Sequence, residues 1–173
     1  TWRDKRAELE NSAAALTAHI DAQLAPKRGG TAADPLALHE TYARAVHSLI
    51  DARDGGIRGA PKFPNAPLMD VLRLSWQQGR VAAHRDAVID SLRKMLAGGI
   101  YDHVGGGLCR YSTDGAWLVP HFEKMLYDNA QLIDLAGWAY AETGDELFRF
   151  RIEETVDWLQ REMRTGGGGF AAS

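Results

Sequence analysis

The sequence has one cysteine, Cys109, among its 173 residues. A lone thiol excludes a disulfide framework, a cysteine-rich metal site and a CxxC redox motif, and it points to a reducing compartment. Long apolar runs are missing as well. None approaches the ~20 residues that span a bilayer, and Thr1-Trp2-Arg3-Asp4 lacks the apolar core of a signal peptide. A cytoplasmic protein is the expectation. There is no surplus of positive charge: a net charge of −3 gives no basis for nucleic acid or an anionic membrane as partner. Nor is there an initiator methionine, and the chain stops just after a glycine cluster, at Ala171-Ala172-Ser173. Both ends are therefore expected to be cuts in a longer protein.

What is present is helical periodicity. A hydrophobic share of 45% with 25% charged residues suits one soluble domain with a real core. Apolar residues recur at helical spacing, and no segment shows a convincing strand alternation. Leu9, Ala13, Leu16, Ile20 and Leu24 mark a first helix face, ending before Pro26-Lys27-Arg28-Gly29-Gly30. Asp34-Pro35 opens a second helix, with Leu38, Tyr42, Ala45, Val46, Leu49 and Ile50 on one stripe. Asn65 and Pro67 start a third, with Leu68, Val71, Leu72 and Trp76, which Gly79 closes. A fourth runs from about Val81 through Val88, Leu92, Met95 and Leu96. Pro120 is expected to open the fifth, with Phe122, Leu126, Asn129, Ile133, Ala136 and Tyr140 on a face. After Gly144-Asp145, the residues Phe148, Ile152, Val156, Leu159 and Met163 stripe a sixth.

The second, fourth and sixth helices are each followed by two glycines and an apolar residue: Gly55-Gly56-Ile57, Gly98-Gly99-Ile100 and Gly168-Gly169-Phe170. The pattern reads as a hairpin repeat, with hairpins at about 1–53, 65–97 and 120–164 and all glycine loops on one rim. The fold class expected is all-α, three hairpins forming about half of an (α/α)6 toroid with little or no β structure. A closed ring of twelve such helices needs on the order of 300 residues. Half a ring leaves apolar edges uncovered, so self-association is expected.

The longest connection, Gly98 to Pro120, is dense in useful groups. Asp102, His103, Asp114 and, just beyond, His121 and Glu123 can move protons. Arg110 can hold an anion. Tyr101, Tyr111 and Trp117 offer flat faces suited to a sugar ring. Gly105-Gly106-Gly107 would let backbone approach a ligand, although no phosphate-loop pattern follows. His121 and Glu123, two apart, do not share a helix face, which argues against a metal pair. Lys124 and Asp128 have the spacing of a surface ion pair. Asn129 interrupts an apolar stripe and needs a partner if buried. His103 has a plainer use, bonding a neighbouring loop backbone. Neither metal nor cofactor is expected.

Three strings then carry a specific resemblance: Gly59-Ala60-Pro61-Lys62-Phe63-Pro64; Gly98-Gly99-Ile100-Tyr101-Asp102-His103-Val104-Gly105-Gly106-Gly107; and Trp117 through Leu132, with Pro120-His121-Phe122-Glu123-Lys124-Met125-Leu126-Tyr127-Asp128-Asn129 at its centre. They resemble the uncharacterised thioredoxin-domain-containing proteins, a family that includes the spermatogenesis-associated thioredoxin-like protein of animals and many bacterial homologues. The likeness is strong from about Asp54 to Ser173 and loose before it. It implies a thioredoxin-like domain ahead of a helical toroid similar to N-acylglucosamine 2-epimerases and six-hairpin glycosidases, with carbohydrate metabolism suggested by fold alone. The motif residues that carry over are Lys62, Asp102, His103, Arg110, His121, Glu123, Asp128 and Asn129. One departure stands out: where relatives commonly have Phe-His before the Arg-Tyr pair, this chain has Leu108-Cys109 before Arg110-Tyr111. The main acid or base is therefore not placed at position 109, where a buried packing role is expected.

The leading expectation is acid–base chemistry on a sugar or sugar-like molecule. An epimerase-like reaction would use His103 or His121 beside a carbonyl, with Arg110 or Lys62 stabilising the enolate. A glycosidase-like one would use Asp102 and Glu123, with a separation of roughly 5 Å for retention and roughly 6.5–9.5 Å for inversion. Tyr101, Tyr111, Trp117, Asp128 and Asn129 would line the substrate. The rival expectation is a non-catalytic module that binds a ligand or a protein beside a thioredoxin-like domain. It gains if Asp102, His103, His121 and Glu123 point apart or are tied up in structural bonds.

Overall fold

A computed structural model describes residues 5–25 and 34–173. The turn expected at Pro26–Gly30 and the four N-terminal residues lie outside the described residues. The chain divides into two units, with the boundary at Asp34. In the first, helix α1 (Arg6–Leu24) is rich in alanine, the strongest helix former, and has no buried residue.

In the second unit, α2 (Pro35–Leu49) begins at Pro35, whose fixed φ suits a first turn. Then come α3 (Ala66–Gly79), α4 (Ala82–Ala97), α5 (Leu126–Thr143) and α6 (Glu146–Trp158), the last running on through a π-helical turn at Leu159–Met163. Among the described residues the only strands are a two-residue antiparallel ribbon, β1 (Tyr111–Ser112) against β2 (Pro120–His121). The class is all-α.

Sequence neighbours α3 and α4, and α5 and α6, pack as hairpins, while α3 also packs on α5, α4 on α6, and α2 on both α3 and α4. Like helices therefore lie beside like: α2, α4 and α6 in one layer, α3 and α5 in the other. Between them the core takes Met69 and Leu72 from α3, Val88, Leu92 and Leu96 from α4, Leu132, Leu135 and Ala139 from α5, and Phe148 from α6. Ile100, Tyr101, Leu108, Cys109 and Trp117 join it from the long connection. That connection is thus a packed part of the core rather than a loose strap.

The glycine repeat is matched only in part, since Gly98-Gly99 lie ahead of the bridged loop that follows α4 and take no positive φ. After α2, α4 and α6 the chain closes a small loop with an isolated antiparallel bridge: Ile50 with Ile57, Tyr101 with Leu108, Arg164 with Phe170. Each bridge spans glycines that take positive φ, Gly55 and Gly56 in the first, Gly106 and Gly107 in the second and Gly168 in the third. These glycines shape the loops, and Gly98, which ends α4, is extended at φ −83° rather than left-handed.

Two boundaries differ from the sequence reading. Pro120 does not open α5: it pairs with Ser112 in the ribbon, and the helix begins at Leu126. His121, Phe122 and Glu123 are accordingly not helical, and Phe122 is 83% exposed rather than on a buried face. The buried face of α5 is Asn129, Leu132, Leu135, Ala136 and Ala139. In α6, Val156 lies outside the buried set, which is Phe148, Thr155 and Trp158, and the π turn then brings Leu159 and Met163 inward by adding a residue to one turn. On α2, Leu38, Tyr42 and Leu49 are 48%, 61% and 47% exposed, so much of the apolar stripe read there is uncovered.

Candidate functional site

The connection from α4 to α5 is built on backbone pairing. Ile100 N–H donates to Trp117 O at 3.0 Å, and Cys109 N–H donates to Ile100 O at 2.8 Å. The triple glycine is a packing device. A Cβ on Gly106 would run into the Glu154 backbone, and one on Gly107 into the Trp158 ring. The close approach that glycine allows here is to α6, not to a ligand.

Several candidate residues are fully engaged within the chain. Asp102 Oδ1 accepts the N–H groups of Val104 and Gly105 at 3.0 and 2.8 Å, while its Oδ2 accepts from Lys124 Nζ at 2.7 Å. The Gly105 N–H and Lys124 hold its carboxyl at about 2, well below the usual range. As placed, Asp102 shapes a loop and has no proton to give near neutrality. Lys124 also donates to Gly106 O and lies over the Trp158 ring, so the expected Lys124–Asp128 surface pair does not form. His103 bonds the Gly98 carbonyl through Nε2 at 2.9 Å and accepts from Arg151 Nη2 at Nδ1 at 2.8 Å. A nitrogen accepting from a guanidinium carries no proton, so these partners select the neutral Nε2–H tautomer. Tyr101, 1% exposed, turns its hydroxyl to Arg151, Glu154 and Thr155 on α6.

Lys62 is buried, with Nζ donating to Asp51 Oδ2 and Gly115 O, both at 2.9 Å, and lying 5.0 Å from the Trp117 ring centroid. Asp51, bonded by Lys62, sits at about 2. Trp117, also buried, donates its indole N–H to Asp54 O at 2.7 Å. Asp114 caps the ribbon turn, accepting from Ser112 Oγ and from the N–H groups of Ala116, Leu118 and Val119. Asn129 is 0% exposed and clamps Leu108 from both sides, accepting its N–H at 2.7 Å and donating to its carbonyl at 3.1 Å. The partner that a buried Asn129 requires is thus a backbone. Cys109 is buried, and that burial pushes its thiol pKa up.

Two groups remain at the surface. On one face of the ribbon, Tyr111 stacks on His121 (centroids 4.7 Å apart, 18° between planes) and also meets Phe63 at 4.8 Å. Next to the ribbon, Arg110 pairs with Glu123 at 2.8 Å. Beside them lie Tyr127, 51% exposed, and half-buried Asp128. Burial raises the Asp128 carboxyl to about 6, against the opposing pull of Arg110 and a hydrogen bond from Tyr127. Among the described residues, Asp128 Oδ2 and Arg110 Nε have neither solvent contact nor a hydrogen-bond partner. Native structures rarely leave such atoms unpaired without a reason, and a carboxyl titrating near neutrality is a mark of functional sites.

The structure therefore brings together Arg110, Glu123 and Asp128, and separately Tyr111 and His121. It sets Asp102, His103, Lys62, Tyr101, Trp117 and Asn129 to structural bonds. Phe63 and Tyr127 were inside recognised strings but had not been singled out as site residues. Arg151 and Trp158, which hold His103 and Lys124, sit on a different helix and left no local signal.

The fold and this surface define an all-helical, hairpin-built domain with one elaborated inter-hairpin connection. The chain is homologous to one segment of spermatogenesis-associated protein 20: it is 34% identical to the rat protein and 33% to the human one, over 98% of its own length in each case. An uncharacterised protein of Caenorhabditis elegans is 34% identical over 72% of the chain. The chain spans 22% of the rat and human relatives' length. No family model matches it. Among the described residues, no helix is long and apolar enough to cross a membrane.

Proposed function

We propose that the Arg110–Glu123–Tyr127–Asp128 group forms part of a small-molecule site in the full-length protein, with Asp128 as the group that exchanges a proton and Arg110 as the charge that steadies the resulting anion. The observation that carries this reading is the unpartnered buried pair, Arg110 Nε and Asp128 Oδ2, in a carboxyl poised at about 6. General acid–base work near neutrality needs such a poise. The Phe63–Tyr111–His121 stack supports a sugar-like substrate, because ring faces suit the apolar face of a pyranose. The layering of α2, α4 and α6 against α3 and α5 supports membership of a larger α/α toroid, whose mouth would hold the site.

The test is calorimetric binding of a panel of mono- and disaccharides to the full-length protein, with His121→Ala and Asp128→Asn variants. Saturable binding of one sugar, weakened about tenfold in His121→Ala, supports the site. Asp128→Asn should then retain binding and abolish turnover of that sugar. A folded protein that binds nothing in the panel refutes the sugar reading.

A second reading has its own support: Asp102 and His103, the expected proton carriers, are both engaged in loop architecture. On that reading the domain binds a ligand or protein without chemistry. It is favoured if a sugar binds but Asp128→Asn and wild type both leave it unchanged.

A further inference from the structure

The first turn of α5 is held by a segment that lies far from it in the sequence. Met125, the residue ahead of Leu126, makes no side-chain cap, and a thioether is a poor acceptor for the free N–H groups of a helix start. The Leu126 N–H is taken instead by the Ala172 carbonyl at 2.9 Å. A short return of the chain delivers that carbonyl. After the π-helical turn, Arg164 and Phe170 form an antiparallel bridge, the Thr165 N–H donates to Gly169 O at 2.8 Å, and the Ala171 N–H donates to Met163 O at 2.8 Å. We propose that residues 170–172 are a positioning strap: docked, they fix the first turn of α5 and with it Tyr127 and Asp128, and undocked, they open that turn to water while the rest of the fold persists. Its bearing on function rests on the role proposed above for Asp128 as the proton-exchanging group.

The packing makes this opening separable from unfolding. Trp158, Leu159 and Met163 form a small cluster of their own, with Leu126, Ile133 and Ala171 packed against it. The main core takes α5 further along, at Leu132, Leu135, Ala136 and Ala139. The strap and the foot of α5 therefore meet outside the main core. A unit with few buried apolar contacts opens at a lower free energy than the core does. The other tether at this foot, Lys124 on Asp102 and on Gly106 O, is a donor and satisfies no N–H of the helix.

Asp128 belongs to that first turn. Burial is the main cause that raises its carboxyl to about 6, while Arg110 and Tyr127 pull the other way and Glu123 is held on Arg110 at 2.8 Å. Opening the turn returns the carboxyl to water and removes the cause that raises it. The docked strap keeps Asp128 poised near neutrality; the undocked one leaves an ordinary carboxylate.

The experiment compares the 173-residue chain with two variants. Ala171→Pro removes the N–H that Met163 O accepts, and Gly166→Ala adds a methyl group that meets nothing within 4 Å. NMR follows amide exchange at Leu126 and at Leu135, and the titration of the Asp128 carboxyl. In Ala171→Pro the Leu126 amide should exchange at least about tenfold faster, and the Asp128 midpoint should fall from about 6 towards the ordinary carboxylate value of about 4. Exchange at Leu135, in the main core, should stay slow, and Gly166→Ala should match wild type throughout. Three results would overturn the proposal: Leu126 exchange unchanged in Ala171→Pro, an Asp128 midpoint that stays put while Leu126 exchange rises, or Leu126 exchange that rises only together with that of Leu135. None of these readouts needs a sugar, so the strap can fail while the sugar site stands, and a protein that binds no sugar leaves all three unaltered.

Discussion

Lys124 reaches back across the inter-hairpin connection to Asp102, 2.7 Å from its Oδ2, and in the same position caps the Gly106 carbonyl and covers the Trp158 ring. One side chain thus ties the foot of α5 to a loop made just after α4 and to the end of α6. The pair is partly buried, with side-chain exposures of 15% and 35%, so it should couple more strongly than an ordinary surface pair. A double-mutant cycle with Lys124→Met and Asp102→Asn should give a coupling of about 1 kcal/mol or more. The sign with pH follows from the depressed carboxyl: the contribution is present above the ordinary carboxylate pKa and is lost as pH falls from about 4 towards about 2. A coupling near zero at pH 7 would show that Lys124 acts through the Gly106 carbonyl and Trp158 rather than through Asp102.

Lys62 makes a stronger case, because its ammonium has no solvent to fall back on. Its side chain is 0% exposed against 19% for Asp51. Removing Asp51 leaves a buried cation with only the Gly115 carbonyl and the Trp117 face. Asp51→Ala should therefore cost about 3–5 kcal/mol by denaturant titration. Lys62→Met keeps the stem and removes the charge, so it should cost less than Asp51→Ala. The reverse order would mean that the ammonium is better solvated than its burial indicates.

The helices were largely legible because each had a 3.6-residue stripe and a clear break at proline or glycine. Where that reading failed, the reason was local. Pro120 suits a first helical turn, but it also tolerates the edge of a two-residue ribbon, and pairing with Ser112 won. The stripe in α6 lost its phase at Leu159–Met163, where one extra residue per turn cannot be seen in a sequence. Within the connection, the sequence shows which polar residues are present but not which partners they take. A motif shows which groups are present; whether Asp102 meets a substrate or Lys124 depends on how an extended segment folds back. Asp128 looked like half of a surface ion pair because i,i+4 spacing presumes a helix, and Lys124 precedes the start of α5 at Leu126.

Cys109 lies within the connection from α4 to α5, and its environment decides its chemistry. It is 3% exposed, and burial pushes its thiol pKa up. A thiol reagent needs the thiolate and access, and the native state offers neither. Labelling at pH 8 should be slow in the folded chain and become fast in denaturant, following the unfolding curve. Rapid native labelling would place Cys109 in an opening segment and would revive a chemical role for it.

Asp128 should respond to pH in the opposite sense to Asp102. Its carboxyl is raised to about 6, so the folded state holds a proton that the unfolded chain has released. Folding stability therefore falls as pH rises from about 4 through about 6, and the penalty is complete above that range. Asp128→Asn removes the charge and keeps the shape, so the variant should be more stable than wild type at pH 7.5, by about 1–3 kcal/mol. The gain should shrink to nothing near pH 4, where both forms carry a neutral side chain. Thermal melts of the two proteins from pH 4 to pH 8 measure this directly. A stabilised, inactive Asp128→Asn would be the signature of a carboxyl kept at a cost to folding for the sake of the site. If the variant is less stable at every pH, Asp128 is instead bonded as a carboxylate, and Arg110 is the partner that its unpaired Oδ2 lacks in this geometry.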